Sequence, residues 1–298
     1  MFQANVPQRA RSCPALALAL AALPLLPMAG CSAVMANLVK AEKAEQRSFS
    51  VSGQPSVIAD TFNGPITVKA ASEGKVEAVV TKVGSGATME AAQADLENVI
   101  VNYSQDGDAI RIVAKHTGPR VLGASGASIE IKVPSSTLLS LTTSNGAISA
   151  TGIAREVTAR SSNGEIDVTG AKGKLDLRTT NGAIKIAADE ATVAAETTNG
   201  DVGFVGSLAK GSHKLETNNG SIDLKLPTTA QFEFAASTSN GSVKNRFPGL
   251  QPKSGKVGSN RLAGVVGPGA DSGVMVDLDT SNGGITIEPM PAAEAPRP

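Results

Sequence analysis

The feature that most constrains this chain is a punctuated repeat. Ser, Thr or Asn followed by Asn-Gly recurs at Asn145-Gly146, Asn163-Gly164, Asn181-Gly182, Asn199-Gly200, Asn219-Gly220, Asn240-Gly241 and Asn282-Gly283. The steps are 18, 18, 18, 20, 21 and 42 residues, the last about two periods. An earlier copy, Asn63-Gly64, stands upstream. Self-similarity at this period marks an array of stacked units that bury a core only together.

Aligning the copies on Asn shows what each unit is. Three residues after Asn lie Ile148, Ile166, Ile184, Val202, Ile222, Val243 and Ile285; four before lie Leu141, Ala159, Leu177, Ala195, Leu215, Ala236 and Leu278. The intervening positions are polar, so apolar residues alternate on both sides of each Asn-Gly, the period of a half-buried strand. Each unit reads strand, turn, strand. The Asn63 copy fits the same frame with Val57, Ala59, Ile66 and Val68. Large and small residues alternate in the column four before Asn, which lets stacked layers fill a narrow core. Two before Asn, a Thr or Ser column (Thr143, Ser161, Thr179, Thr197, Thr217, Thr238, Thr280) has inward parity, and its hydroxyls are expected to bond neighbouring layers or the turn backbone.

Asn and Gly both tolerate positive φ, which suits either the type I′ turn of a hairpin or the corner between two sheets of a solenoid. The regular 18-residue spacing favours the second, because identical residues stack in register only when the coil length is fixed. The expected fold is therefore all-β, a parallel β-solenoid (β-helix-like) of about 18–21-residue coils, with an antiparallel hairpin array or propeller as the alternative. The second turn of each unit is looser and is where functional loops are expected.

Residues 134–289 carry the Asn-Gly solenoid in this reading. Residues 49–133 are an irregular N-terminal capping β region with one short helix over 89–96, after a break at Gly84-Ser85-Gly86. Residues 246–272 form an excursion loop or a broken coil, and 290–298 a Pro-rich disordered tail.

Residues 1–30 read as a lipoprotein signal peptide and 31–48 as a tether. Arg9 and Arg11 precede a twelve-residue apolar run over 15–26, too short to span a bilayer as a helix. The stretch Leu26-Pro27-Met28-Ala29-Gly30-Cys31 resembles the bacterial lipoprotein box, which implies Cys31 as the lipid attachment site. Cys13 lies within the signal, so a processed chain has no second Cys for a disulfide. Ser32, not Asp, follows Cys31; by the same resemblance this implies the outer membrane if the host is Gram-negative.

The Thr-x-Asn-Gly-x-Ile repeats, the strand Ile129-Glu130-Ile131-Lys132-Val133-Pro134 and the early Phe62-Asn63-Gly64-Pro65-Ile66 copy together resemble the bacterial putative-adhesin family of uncharacterised β-strand-repeat envelope lipoproteins. The resemblance covers most of residues 49–288. It implies a β-solenoid exposed in the cell envelope and brings no catalytic residues with it.

Little in the chain suggests chemistry. Lys and Arg number 27 and Asp and Glu 27, a neutral balance that argues against nucleic acid as partner. There is no Trp and one Tyr, Tyr103, so stacking platforms for bases or sugars are scarce. His213 occupies an apolar column and reads as structural; His116 beside Lys115 reads as exposed; Asp189-Glu190 is an acidic pair in a turn. No spacing suits a metal or a cofactor, and none is expected. Outward columns place opposite charges one layer apart: Asp167 with Lys185, Asp223 with Lys244, Arg178 with Glu196. The expected function is that of a lipid-anchored envelope protein, non-enzymatic, adhesin-like or scaffolding through surface loops, with the membrane as partner through its anchor, a protein or glycan of unidentified kind, and no small-molecule substrate. The alternatives are a carbohydrate-active enzyme on a parallel β-helix, a polysaccharide lyase or hydrolase with clustered carboxylates, or an envelope-stress or assembly accessory without its own ligand.

Overall fold

Each Asn-Gly is flanked by two arms, and in the computed structural model these arms do not pair with each other. Each pairs in parallel with the equivalent arm of another repeat. The structure describes residues 38–71, 74–119, 125–267 and 272–290, with main chain alone at 254–257. All belong to one compact unit, residues 37–298. The signal peptide and the Cys31 anchor lie outside the described residues, as does the tail beyond residue 290.

The fold is all-β with a single helix. The elements begin β1 (Val39–Ser50), β2 (Ser56–Thr61), β3 (Ile66–Ala71), β4 (Lys75–Gly86), α1 (Met89–Glu97), β5 (Val99–Asp106), β6 (Ala109–His116) and β7 (Gly126–Pro134). The repeats follow as β8 (Leu138–Asn145), β9 (Ile148–Thr151), β10 (Val157–Asn163), β11 (Ile166–Asn181), β12 (Ile184–Asn199), β13 (Val202–Leu208), β14 (Gly211–Asn219) and β15 (Ile222–Leu226). The chain closes with β16 (Phe232–Asn240), β17 (Val243–Asn245), β18 (Leu250–Gly258), β19 (Arg261–Val266), β20 (Val274–Asn282) and β21 (Ile285–Pro289).

Arms before Asn form one ladder, in the order β2, β8, β10, β11, β12, β14, β20, β16, all parallel. Arms after Asn form the other: β3, β9, β11, β12, β13, β15, β21, β17. β11 and β12 contribute to both ladders because they run round the far corner without a break. The inward columns identified in the sequence are buried between the ladders as one continuous core, from Val57 and Ile66 to Phe234 and Ile287.

Four expectations are corrected. First, the layers do not follow chain order: β20 and β21, carrying Asn282, lie between the Asn219 layer and the Asn240 layer. Leu278 therefore packs beside Leu215, and the strict Leu/Ala alternation holds only from Ala59 to Leu215. Second, the Asn63 copy belongs to the regular stack, not to a cap, since β2 and β3 pair directly with β8 and β9. Third, most of the expected tether is strand: β1 pairs antiparallel with β4 over twelve residues. Only Ala41 among its residues is buried, so its apolar content was a poor guide to a segment held by backbone bonds. Fourth, the 246–272 excursion contains an antiparallel hairpin, β18–β19, laid along β16.

The capping elements continue both ladders beyond Asn63. β6 pairs in parallel with β2, and β5 in antiparallel with β6. β7 pairs in parallel with β3, followed by β4 and β1, both antiparallel. The glycines at 84 and 86 do not break β4. They let α1 lie directly on it: a Cβ on Gly84 would stand 2.3 Å from Leu96 N, and one on Gly86 2.6 Å from Ala92 N. The helix starts at Thr88, whose hydroxyl accepts from Ala91 N at 3.2 Å.

Candidate functional site

The Asn-Gly corner is shaped chiefly by stacking; positive φ occurs only at some of its glycines, Gly64, Gly200 and Gly283. None of the Asn residues has positive φ; Glu190 is the only non-glycine residue that does among those described. What requires glycine at every one of these corners is the neighbouring layer. A Cβ on Gly146, Gly164, Gly182, Gly200, Gly220, Gly241 or Gly283 would come within 1.9–2.2 Å of a glycine carbonyl oxygen in the adjacent corner. Gly64 is equally confined, by Ala127 O at 2.4 Å.

Close approach lets the side chains join. Asn163, Asn181, Asn199, Asn219, Asn282 and Asn240 each donate Nδ2 to the Oδ1 of the Asn one layer nearer the N-terminal end, at 2.8 Å in every case. The ladder ends at Asn145; Asn63 donates instead to Ser125 O at 2.6 Å. Behind it the inward hydroxyls bond glycine carbonyls of the adjacent corner, as Thr179 Oγ1 does to Gly164 O at 2.9 Å and Thr280 to Gly220 O at 2.9 Å. These hydroxyls satisfy half-buried carbonyls of the corner, as expected from their parity.

The outward columns are solvated charge. Arg178 meets Glu196 at 3.7 Å as the register foretold. Lys185 lies beside Asp167 in register but bonds Glu165, at 2.8 Å; that bond, with the charge of Glu165, raises the Lys185 pKa. Asp223 and Lys244 do not meet, because Thr286 of the inserted layer stands between them. Asp189 and Glu190 sit at the far corner, where Ser207 Oγ donates to Asp189 and accepts from Glu190 N. The far corners of β11 and β12 are strand-paired, as Ala171 with Ala188 shows, while 152–156, 209–210 and 227–231 remain loops between strands.

Both histidines are interior. His213 is 2% exposed in its apolar column; its Nδ1 accepts from Val193 N at 3.2 Å, which assigns the proton to Nε2, directed at Ala209 O 2.9 Å away. Burial lowers its pKa. His116, expected to be exposed, has a side chain only 7% exposed. It faces the Phe62 ring, and its Nε2 lies 2.9 Å from Asp95 Oδ1. Asp95, in α1, also accepts from Ser125 Oγ and from Ser85 N at 3.0 Å. Burial pushes its pKa up, but the bonds from Ser125, Ser85 and His116 together outweigh that, and the net shift is downward. The hydroxyl reaches the carboxylate and not the imidazole, so this is a structural clamp between α1, β4 and β6 rather than a nucleophile–base pair.

Among the described residues, a groove of about 390 Å³ opens on the outer face of β3, β7, β4 and β1. Lys69, Lys132 and Glu77 lie in one cross-strand row; Thr67, Glu130, Val79 and Gln46 form the next. Lys75 bonds Glu77 at 2.6 Å and, with Lys132, lowers its pKa. The groove is thus amphoteric, with two ammonium and two carboxylate groups among hydroxyl and amide. The outward parity of Thr67, Lys69, Glu130 and Lys132 was legible in the sequence; that antiparallel β4 and β1 wall the groove was not. Among the described residues no group of His, Cys, Asp and Glu is arranged to hold a metal ion, and no helix is long and apolar enough to cross a membrane.

Comparison with known proteins agrees with the resemblance seen in the repeat. A family model described as Toastrack DUF4097 matches residues 48–288. No curated protein matches. Among solved structures, a putative cell adhesion protein from Clostridium sporogenes is similar at 12% identity, covering 83% of this chain and 100% of that one, with a TM-score of 0.38. A putative adhesin from Bacteroides fragilis has 12% identity, coverage of 83% and 97%, and a TM-score of 0.35. One from Parabacteroides distasonis has 13% identity, the same coverage and a TM-score of 0.34.

Proposed function

The chain belongs to the Toastrack DUF4097 family, and from that premise we propose that it is a lipid-anchored, non-enzymatic β-solenoid of the cell envelope that holds a binding groove away from the membrane. The single observation that carries this reading is the in-register stack of parallel arms. Its polar groups are engaged with the next layer: amide to amide, hydroxyl to carbonyl, charge to charge. Such a stack is a rigid mount. The solenoid reading rests on the same parallel registers, with each 18-residue step advancing the chain by one layer.

Cys31 is the lipid attachment site in this proposal, and the outer membrane the destination in a Gram-negative host. The partner is a protein or glycan that presents both signs of charge, matched to the interspersed Lys69, Lys132, Glu77 and Glu130 of the groove. Two experiments test it. Cys31→Ser should change the mature mass and release the protein from membranes; an unchanged mass with full membrane retention refutes the anchor. The purified chain should retain envelope protein or glycan from its own host, and Lys69→Glu with Lys132→Glu should abolish that retention. Equal retention by the double variant refutes the groove as the binding surface, and cleavage of an envelope polysaccharide by the wild type refutes the non-enzymatic reading.

A further inference from the structure

One layer of the stack is out of chain order. β14 and β15 carry Asn219, and the next repeat along the chain, β16 and β17, carries Asn240, yet the amide ladder passes from Asn240 to Asn282 and only then to Asn219. β20 fills the gap with both edges paired in parallel: Gly211↔Val274 through Asn219↔Asn282 on one side, Glu233↔Met275 through Asn240↔Asn282 on the other. β21 does the same between β15 and β17. The step from Asn219 to Asn240 is 21 residues, against 18 to 20 between neighbouring layers, and the connection over 227–231 climbs two layers, roughly 10 Å.

This layer differs from those it touches in how it is held. Asn199 and Asn219 are successive repeats, and the chain between them runs directly from one layer to the next. The Asn282 layer has no such link to either neighbour. Its covalent connection runs through 267–273, Gly-Pro-Gly-Ala-Asp-Ser-Gly, to β19 on the outer side of β16. It is held by backbone pairing, by Thr280 Oγ1 on Gly220 O at 2.9 Å, by the Asn amides and by buried Val276, Leu278, Ile285 and Ile287. Withdrawn, it leaves a slot one layer thick. The facing edges of β14, β15, β16 and β17 then expose unpaired donors and acceptors in a fixed register, the condition under which a strand is captured. The slot is selective. An entering pair must bring glycine at the corner, since a Cβ on Gly283 would stand 1.9 Å from Gly220 O.

We propose that residues 272–290 are an exchangeable strand pair, and that the slot between β14–β15 and β16–β17 is a docking surface for the same residues of a second copy of the chain. The occupant is a second copy because the slot reads a full strand-corner-strand pattern that this segment already satisfies. Exchange of an identical element recreates every contact and costs little at equilibrium. The proposal is independent of the groove and of the lipid anchor.

The test uses the full chain and a fluorescent synthetic peptide of residues 272–290, mixed in excess at urea concentrations below the unfolding midpoint. Saturable uptake of one peptide per chain is expected, with the Gly283→Val peptide taken up at least tenfold less. No uptake of the wild-type peptide, or equal uptake of the two, overturns the proposal. Native-state hydrogen exchange of the unmodified chain gives a second reading. The amides of Gly220 and Ile222 bond Asn282 O and Gly284 O in the inserted layer, at 3.0 and 2.9 Å. Those of Gly182 and Ile184 make the same bonds within the chain-ordered stack, both at 2.9 Å. The first pair should exchange at least tenfold faster; equal rates overturn the proposal.

Discussion

Asn282 donates its side-chain amide to Asn219 at 2.8 Å, although 63 residues separate them in the chain. The geometry is the same as that between Asn181 and Asn163, 18 residues apart. A corner amide therefore registers its neighbour in the stack, whatever its neighbour in sequence, and the corner chemistry is where substitutions should be felt first.

Glycine at the corner is required by contact. Gly182→Ala would set a Cβ 2.1 Å from Gly164 O, whereas Gly203 has nothing within 4 Å of its Cβ position. We expect Gly182→Ala to cost about 2–3 kcal/mol through forced separation of layers. Gly203→Ala should be neutral or stabilising by up to about 1 kcal/mol, by reducing unfolded-chain entropy. Urea denaturation of both variants checks the contrast.

The position of an Asn in the ladder should grade its importance. Asn181 both donates to Asn163 and accepts from Asn199, while Asn240 makes one ladder bond, to Asn282. At about 0.5–1.5 kcal/mol per bond, Asn181→Ala should cost roughly twice as much as Asn240→Ala. The ladder is solvent-exposed, so both values should fall near the lower end; thermal denaturation at equal concentration measures the ratio.

His213 should make the fold sensitive to mild acid. Its folded pKa is lowered by burial, from an ordinary value of 6.5. The unfolded chain therefore binds a proton that the folded chain resists, and stability is lost as the pH falls below 6.5. His213→Val, matching Val193 and Val276 on either side in the column, should cost stability at pH 8 by leaving Val193 N unpaired. It should also flatten the decline between pH 7 and 5. An unflattened profile would refute the assignment.

Asp95 should act at lower pH. Its pKa is held below the ordinary 3.8 by Ser125, Ser85 and His116 against the effect of burial. The stability it contributes is complete above 3.8 and is lost as the pH falls below that value through the folded pKa. Asp95→Asn should weaken the attachment of α1 at pH 7 and remove this part of the acid transition. Helix-specific hydrogen exchange of Ala92 and Leu96 from pH 5 to 2.5 reports it.

Much of the fold was legible because period 2 and a fixed coil length leave few solutions. The inward columns, the hydroxyl row and the in-register stacking of the corners followed from aligning seven copies. Layer order did not follow, because the residues that contact Asn282 are ones any repeat would offer. β1 was missed because its charged residues look like those of a linker, and its hold on β4 is through backbone. The His116–Asp95 clamp was missed because its members come from α1, β6 and β4, with no shared spacing. The groove depends on antiparallel strands whose order the repeat does not encode.

The layer that joins the Asn219 and Asn240 coils is supplied by a segment that follows both of them in the chain. While that stretch is still being made, a nascent molecule can assemble the earlier coils but has no means of sealing the final two against each other. The core over these two coils therefore closes only once residues 272–290 have been made.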